Sequence, residues 1–203
     1  MAPIHAACVA GDVETVRREL AAGVSPDLSE VNISPLIIAA DRKQVDITLL
    51  LIEAGADVNL QVGALTPLHV ACLHGCKATV AALLAAGAST SLLRETPGMK
   101  IRPVEMIRNG QKHVLPMLLR AGSPLPRLDR TEWMQPDNSD EFADAFNPAA
   151  TNYANAVAAA GGYVPYERAH RQRLVVMFVP KFTWLPAEII PTVVDFWAHV
   201  GQY

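Results

Sequence analysis

Residues 66–91 read TPLHVACLHGCKATVAALLAAGASTS, and each residue type in the stretch has an assignable physical job. Thr66 is a good helix N-cap, and Pro67 suits the first helical position, where the donor it lacks would go unpaired anyway. Leu68, Ala71 and Cys72 fall at i, i+3 and i+4, a narrow apolar stripe that a second helix can approach closely. Gly75 ends that helix in a conformation other residues adopt only at a cost. Val80, Leu83 and Leu84 give the inward face of a second, antiparallel helix, which Gly87 stops. The stretch predicts a helix–turn–helix unit that hands the chain on through a loop.

The unit recurs at a fixed period. Pro3, Pro35 and Pro67 are 32 residues apart, and so are Gly23, Gly55 and Gly87. The second copy reads SPLIIAADRKQVDITLLLIEAGADVN, and the first, APIHAACVAGDVETVRRELAAG, starts directly after Met1. A fourth, more eroded copy, IRPVEMIRNGQKHVLPMLLRAG, runs from Ile101 to Gly122. It is one residue short between Pro103 and Gly110, and Glu105 stands where the third copy has His69. Pro116 falls inside its second helix, where a lost donor and a steric clash cost roughly 3 kcal/mol, so this copy is expected to be kinked and the weakest. In the first copy Val13, Val16 and Leu20 share a face. Glu14, Arg17, Arg18 and Glu19 lie elsewhere, as a solvated outer side requires of a terminal repeat.

The T-P-L-H…G…LL…G-A pattern resembles the ankyrin repeat, whose signature is T-P-L-H-x-A. The resemblance implies an all-α fold: an ankyrin-repeat solenoid of helix–turn–helix repeats with short finger loops, capped by a C-terminal helical extension. Its repeats span about 1–29, 30–61, 62–97 and 98–124. Ankyrin arrays bind other proteins through the fingers and the exposed positions of each first helix. Carried over residue by residue, the expected contacts are Glu30, Val31 and Ile33 on the first finger, with Asp41 and Arg42 on the helix after it. Val62, Leu65, Leu73 and His74 follow in the third repeat, then Met99 on a longer finger (TPGMKI) and Arg108 beyond it. Val31, Ile33, Val62, Leu65, Leu73 and Met99 would form an apolar strip of the kind that marks an interface. The alternative is that some of them pack between neighbouring fingers. In this family the signature histidines, here His5 and His69, hydrogen-bond locally to steady the turn.

Composition narrows the function classes. The net charge of −3 offers no electrostatic argument for nucleic acid or a membrane surface, so the expected partner is another protein. No apolar run approaches the roughly 20 residues of a membrane-spanning helix. Asp12 and Glu14 come too early for a targeting segment. Cys8 and Cys72 occupy equivalent repeat positions as small hydrophobes, and Cys76 follows a turn glycine. Three cysteines so placed are no disulfide framework, which points to a reducing location, cytoplasmic or nuclear. His69 and Cys72 share a helical face, but His5, His74 and Cys76 complete no ligand set at regular spacing, so no metal and no cofactor is expected. No nucleophile–base pair or phosphate-cradling loop is present, and no enzyme activity is expected.

After Gly122 the character changes. Residues 125–146 form a linker that is acidic (Asp129, Glu132, Asp137, Asp140, Glu141, Asp144) yet carries Trp133, Met134, Phe142 and Phe146. It is too apolar for free disorder, and is expected to lie down on the open end of the array or to act as a recognition motif. Residues 147–203 read as a helical extension. One helix starts at Asn147-Pro148 and stops at Gly161-Gly162, a second spans Pro165 to Val179, and a last one opens at Pro186. Leu185-Pro186-Ala187-Glu188-Ile189 is similar to the start of an F-box, and Arg173-Leu174…Leu185-Pro186 to a SOCS box. These resemblances imply a ubiquitin-ligase substrate adaptor as the alternative function, and a structural subunit of a larger assembly is a further one. The chain holds only half an F-box, and Phe178 stands where a SOCS box has cysteine.

Overall fold

The computed structural model describes residues 2–30, 32–96, 99–107, 112–124, 155–178 and 190. The chain divides into two compact units, residues 1–147 and 148–203. The linker at 125–146 and the last helix expected from Pro186, apart from Ile190, lie outside the described residues.

Unit one is built from helix pairs. α1 (Pro3–Ala10) and α2 (Val13–Ala21) form the first, α3 (Pro35–Asp41) and α4 (Val45–Glu53) the second, and α5 (Pro67–His74) and α6 (Lys77–Ala85) the third. α3 packs between α1 and α5, while α4 packs between α2 and α6, so the pairs stack in register. The core lies between the two rows of helices. Ile4, Leu36 and Leu68 are sealed on the inner row, and Val16, Ile47, Leu51, Val80 and Leu83 on the outer. Sealing one such Leu or Ile contributes about 1.5–3 kcal/mol. Leu84, expected among them, is only partly buried, and Thr79 takes the third inward position of α6. In the first pair Glu14, Arg17 and Arg18 are exposed as expected, whereas the Glu19 side chain is only 20 % exposed, mostly covered where the third repeat has Leu83.

The repeated glycines all do one thing. Gly87 takes φ 87°, and its amide bonds Leu84 while that of Ala88 bonds Leu83. This 5→2 and 6→1 pair is the Schellman cap, which satisfies carbonyls that the helix end leaves over. The same two bonds close α2 at Gly23 and α4 at Gly55. They recur at Gly122, closing α7 (Leu115–Arg120).

The fourth repeat departs from the expectation. Its first helix is reduced to a single 3-10 turn, Pro103–Met106, and a second such turn, Lys112–Val114, precedes α7. α7 begins at Leu115 directly after the 3-10 turn Lys112–Val114, so the helix changes type one residue before Pro116.

The fingers also hold a feature the helical pattern did not announce. The first two are tight hairpin turns, with Glu30 bridged to Ile33 and Val62 to Leu65 through paired backbone bonds of 3.0–3.2 Å. The third is a true antiparallel hairpin, β1 (Arg94–Thr96) with β2 (Met99–Ile101), in the register Arg94 to Ile101, Glu95 to Lys100 and Thr96 to Met99. Pro103 lies 36 residues after Pro67 instead of 32, and the four extra residues are the ones that lengthen this finger.

In unit two, residues 155–159 are helical and Gly161 and Gly162 take φ 80° and 122°, ending that helix where expected. α8 (Tyr163–Phe178) follows, starting two residues before the expected Pro165. Its first-turn proline costs no helical bond.

Candidate interaction surface

Equivalent positions on stacked inner helices present one continuous face. Six residues after the repeat proline stand Val9, Asp41 and Leu73, and seven after it Ala10, Arg42 and His74. Asp41 and Arg42 are exposed, while Leu73 and His74 are partly buried. Asp41 and His74 are joined: His74 Nε2 donates to Asp41 Oδ1 at 2.9 Å, tying α3 to α5 at the surface. Arg42 Nε lies 3.6 Å from the other Asp41 oxygen. These are solvent-facing contacts worth at most about 1 kcal/mol each, so they are free to exchange for a partner's groups. Val9, 38 % exposed, belongs to the same face. The sequence reading left it out, although stepping back one period from Asp41 reaches it.

The finger residues are less open than the helix positions. Ile33, Val62 and Leu65 are partly buried, and none of them is among the exposed large apolar side chains. Glu30 also turns inward, its Oε2 accepting the Ala2 amide at 2.5 Å. Val31 and Arg108, and the side chain of Met99, lie outside the described residues. A shallow groove runs between the second and third fingers, lined by Gln61, Ala64, Ser91, Leu92, Leu93 and Glu95. Gln61 Nε2 crosses it to the Leu93 carbonyl at 2.8 Å.

The signature histidines hold the fingers to the helices. His69 Nδ1 accepts from the Thr66 amide at 3.3 Å and from the Thr66 hydroxyl at 2.8 Å. Its Nε2 faces the Ile101 carbonyl at 3.1 Å, which can only accept, so the ring is the neutral Nε2–H tautomer. Burial pushes its pKa down to about 4, against the opposing pull of that carbonyl. His5 likewise reaches the Ile33 carbonyl at 3.3 Å. Its local bond is missing, because Nδ1 is buried without a partner. Local steadying of the turn, expected for both, therefore holds for His69 alone, and both rings also reach across to the following finger.

Burial raises the Cys8 thiol to about 11 and pushes Cys72 up further, so both are inert thiols in the fold, while Cys76 is partly buried. Among the described residues no three His, Cys, Asp or Glu side chains gather as a metal site, and no helix is long and apolar enough to cross a membrane. The F-box-like and SOCS-box-like stretches from Leu185 onward lie outside the described residues, save Ile190.

Comparison with known proteins agrees with this geometry. A family model for ankyrin repeats matches three copies over residues 4–93. The crystal structure of the human ASB11 ankyrin repeat domain is similar, with a TM-score of 0.56 and 28 % sequence identity over 63 % of this chain. The match spans 57 % of that structure, so the chain corresponds to a little over half of it. No curated protein matches the sequence. Stacked helix pairs at a 32-residue period, finger hairpins between them and the family match make residues 4–93 an array of ankyrin repeats.

Proposed function

We propose that this array is a non-catalytic interaction module that holds another protein on the face formed by its inner helices and fingers. The observation that carries the reading is the alignment of Val9, Asp41, Arg42, Leu73 and His74 at matching positions on stacked helices. That face mixes partly covered apolar groups with polar groups held only by exchangeable surface bonds. Ile33, Val62 and Leu65 extend it along the fingers, and Glu30, Val31, Met99 and Arg108 complete the proposed contact set. Leu65 and Leu73 would be central anchors, since a few buried residues usually dominate binding energy. Asp41, Arg42 and His74 would set specificity. Three unpaired cysteines at repeat positions suit a reducing compartment, cytoplasmic or nuclear.

The test is a tagged pull-down of the chain and of its Leu65→Glu/Leu73→Glu variant, after circular dichroism shows both folded. A stoichiometric partner that the variant loses supports the surface. The same partner retained by the folded variant moves binding elsewhere and refutes it.

A further inference from the structure

The chain contains five Ser-Pro or Thr-Pro dipeptides, at Ser25, Ser34, Thr66, Thr96 and Ser123. The structure separates them sharply. Ser34 and Thr66 are helix N-caps only 1 % exposed, and Ser123 is 8 % exposed. Their hydroxyls are closed to any enzyme. The Thr96 side chain and Pro97 lie outside the described residues. Ser25 alone among the described four is exposed, in the irregular stretch between α2 and the first finger.

From this we infer that Ser25 is a phosphorylation site for a protein kinase that selects proline after its target. Such a kinase must lay several residues of substrate in an extended path. Ala22, Gly23 and Val24 donate to Arg18, Leu20 and Glu19 at 2.9–3.1 Å and close α2, whereas residues 25–29 are held by Asp27 N to Ser25 Oγ at 3.3 Å, Leu28 N to Ser25 O at 3.2 Å, Ser29 Oγ to Asp27 O at 3.2 Å and Asp57 N to the Asp27 carboxylate at 2.9 Å. Opening residues 25–29 leaves those cap bonds of α2 in place. ATP is the phosphoryl donor: Ser25 Oγ bonds to the γ-phosphorus, the bond to the leaving ADP oxygen breaks, and the hydroxyl proton passes to the kinase's base.

The repeat pattern places an anion at the equivalent point of the second repeat. Ser25, Asp57 and Ser89 are equivalent positions 32 residues apart. Each accepts a bond from the amide two residues on: Ser25 Oγ from Asp27 at 3.3 Å, Asp57 Oδ1 from Asn59 at 2.9 Å, and Ser89 Oγ from Ser91 at 3.4 Å. The second repeat already carries a carboxylate at this point, and phosphate oxygens on Ser25 would meet the same kind of donor. Ser89 has the hydroxyl but is followed by Thr90, so of the three only Ser25 joins hydroxyl, proline and exposure.

The experiment incubates the folded full chain with a proline-directed kinase and magnesium ATP, then maps phosphate by mass spectrometry. Ser25→Ala, Thr96→Ala and heat-unfolded wild type run in parallel. The expected result is one phosphate on folded wild type and on Thr96→Ala, located at Ser25 and absent from Ser25→Ala. The unfolded chain should in addition be modified at Ser34 and Thr66. Folded chain left unmodified while unfolded chain gains phosphate at Ser25 overturns the inference by showing the loop closed. No phosphate at Ser25 in either state, or phosphate confined to Thr96, overturns it by showing that the local sequence is not accepted.

Discussion

His69 Nε2 sits 3.1 Å from the carbonyl oxygen of Ile101, a residue 32 positions further along the chain. One imidazole therefore joins the start of α5 to the base of the third finger, and the neutral ring is what both ends of that link require.

The link predicts a specific pH dependence. Folding holds the His69 pKa near 4, against an ordinary value of 6.5, so the folded state disfavours the proton that the unfolded chain takes up. The contribution is complete above pH 6.5 and is lost progressively as pH falls toward 4. Its ceiling is about 3 kcal/mol. Urea unfolding of wild type and His69→Asn should show the wild type well ahead at pH 7 and the gap narrowing at pH 4.5. A gap that stays constant between those pH values would sink the assignment.

His5 predicts a gain. It copies His69 across 64 positions, but the residue three before it is Ala2 where His69 has Thr66. That exchange explains the orphaned His5 Nδ1 and an α1 that starts without a side-chain cap. Ala2→Thr should restore both bonds and stabilise the chain by about 1–2 kcal/mol. In a His5→Leu background the gain should shrink to that of the cap alone. Equal gains in both backgrounds would show that the ring nitrogen plays no part.

Most of the three-repeat core was legible in the sequence, because each cap and stop is a local residue choice. Thr66 with Pro67, and glycine at 23, 55 and 87, act within one helix end wherever they occur. What was not legible is long-range or depends on register. The bonds from His5 and His69 to later fingers run to backbone carbonyls, which leave no mark on residue identity. The third finger's strands came from a four-residue insertion, whose length is visible but whose pairing is not. Near Pro116 the change from a 3-10 turn to α-helix at Leu115 depends on packing and is not written in any one residue. On the candidate surface, Asp41, Arg42 and His74 follow from helix position, whereas the inward turn of Glu30 depends on where Ala2 comes to lie.

A third prediction concerns backbone strain at a single exposed residue. The turn between the two helices of a repeat uses Gly11 at φ 77° and Gly75 at φ 63°, but the second repeat has Lys43 at φ 57°. A side chain costs about 1–2 kcal/mol in that region, partly offset by the entropy that glycine loses on folding. Lys43→Gly should therefore raise stability by about 0.5–1 kcal/mol, read as a higher urea midpoint with an unchanged slope. Lys43→Ala, which keeps the strain, should give no comparable gain. If alanine stabilises as much as glycine, the effect belongs to the lysine charge and not to the backbone.

The last prediction turns on the eroded repeat. Glu105 is fully buried where the third repeat has His69, and it takes over the acceptor half of that histidine's task. Its Oε2 accepts the Arg102 amide at 2.8 Å, as His69 Nδ1 accepts that of Thr66, while Oε1 meets the Arg102 guanidinium at 2.8 and 3.2 Å. A carboxylate has no N–H to send to a following finger, so Glu105 cannot make the second bond that His69 makes to Ile101. Removing one member leaves the other charge largely buried, since the Arg102 side chain is only 17 % exposed. Glu105→Ala should cost about 3–5 kcal/mol. The double change Arg102→Thr with Glu105→His rewrites the site as the Thr-Pro-x-His cap of the third repeat. It should recover most of that loss, because hydroxyl, amide and ring nitrogen again satisfy one another. A double variant as unstable as Glu105→Ala would mean that the fourth repeat depends on the ion pair itself and not on the acceptor geometry.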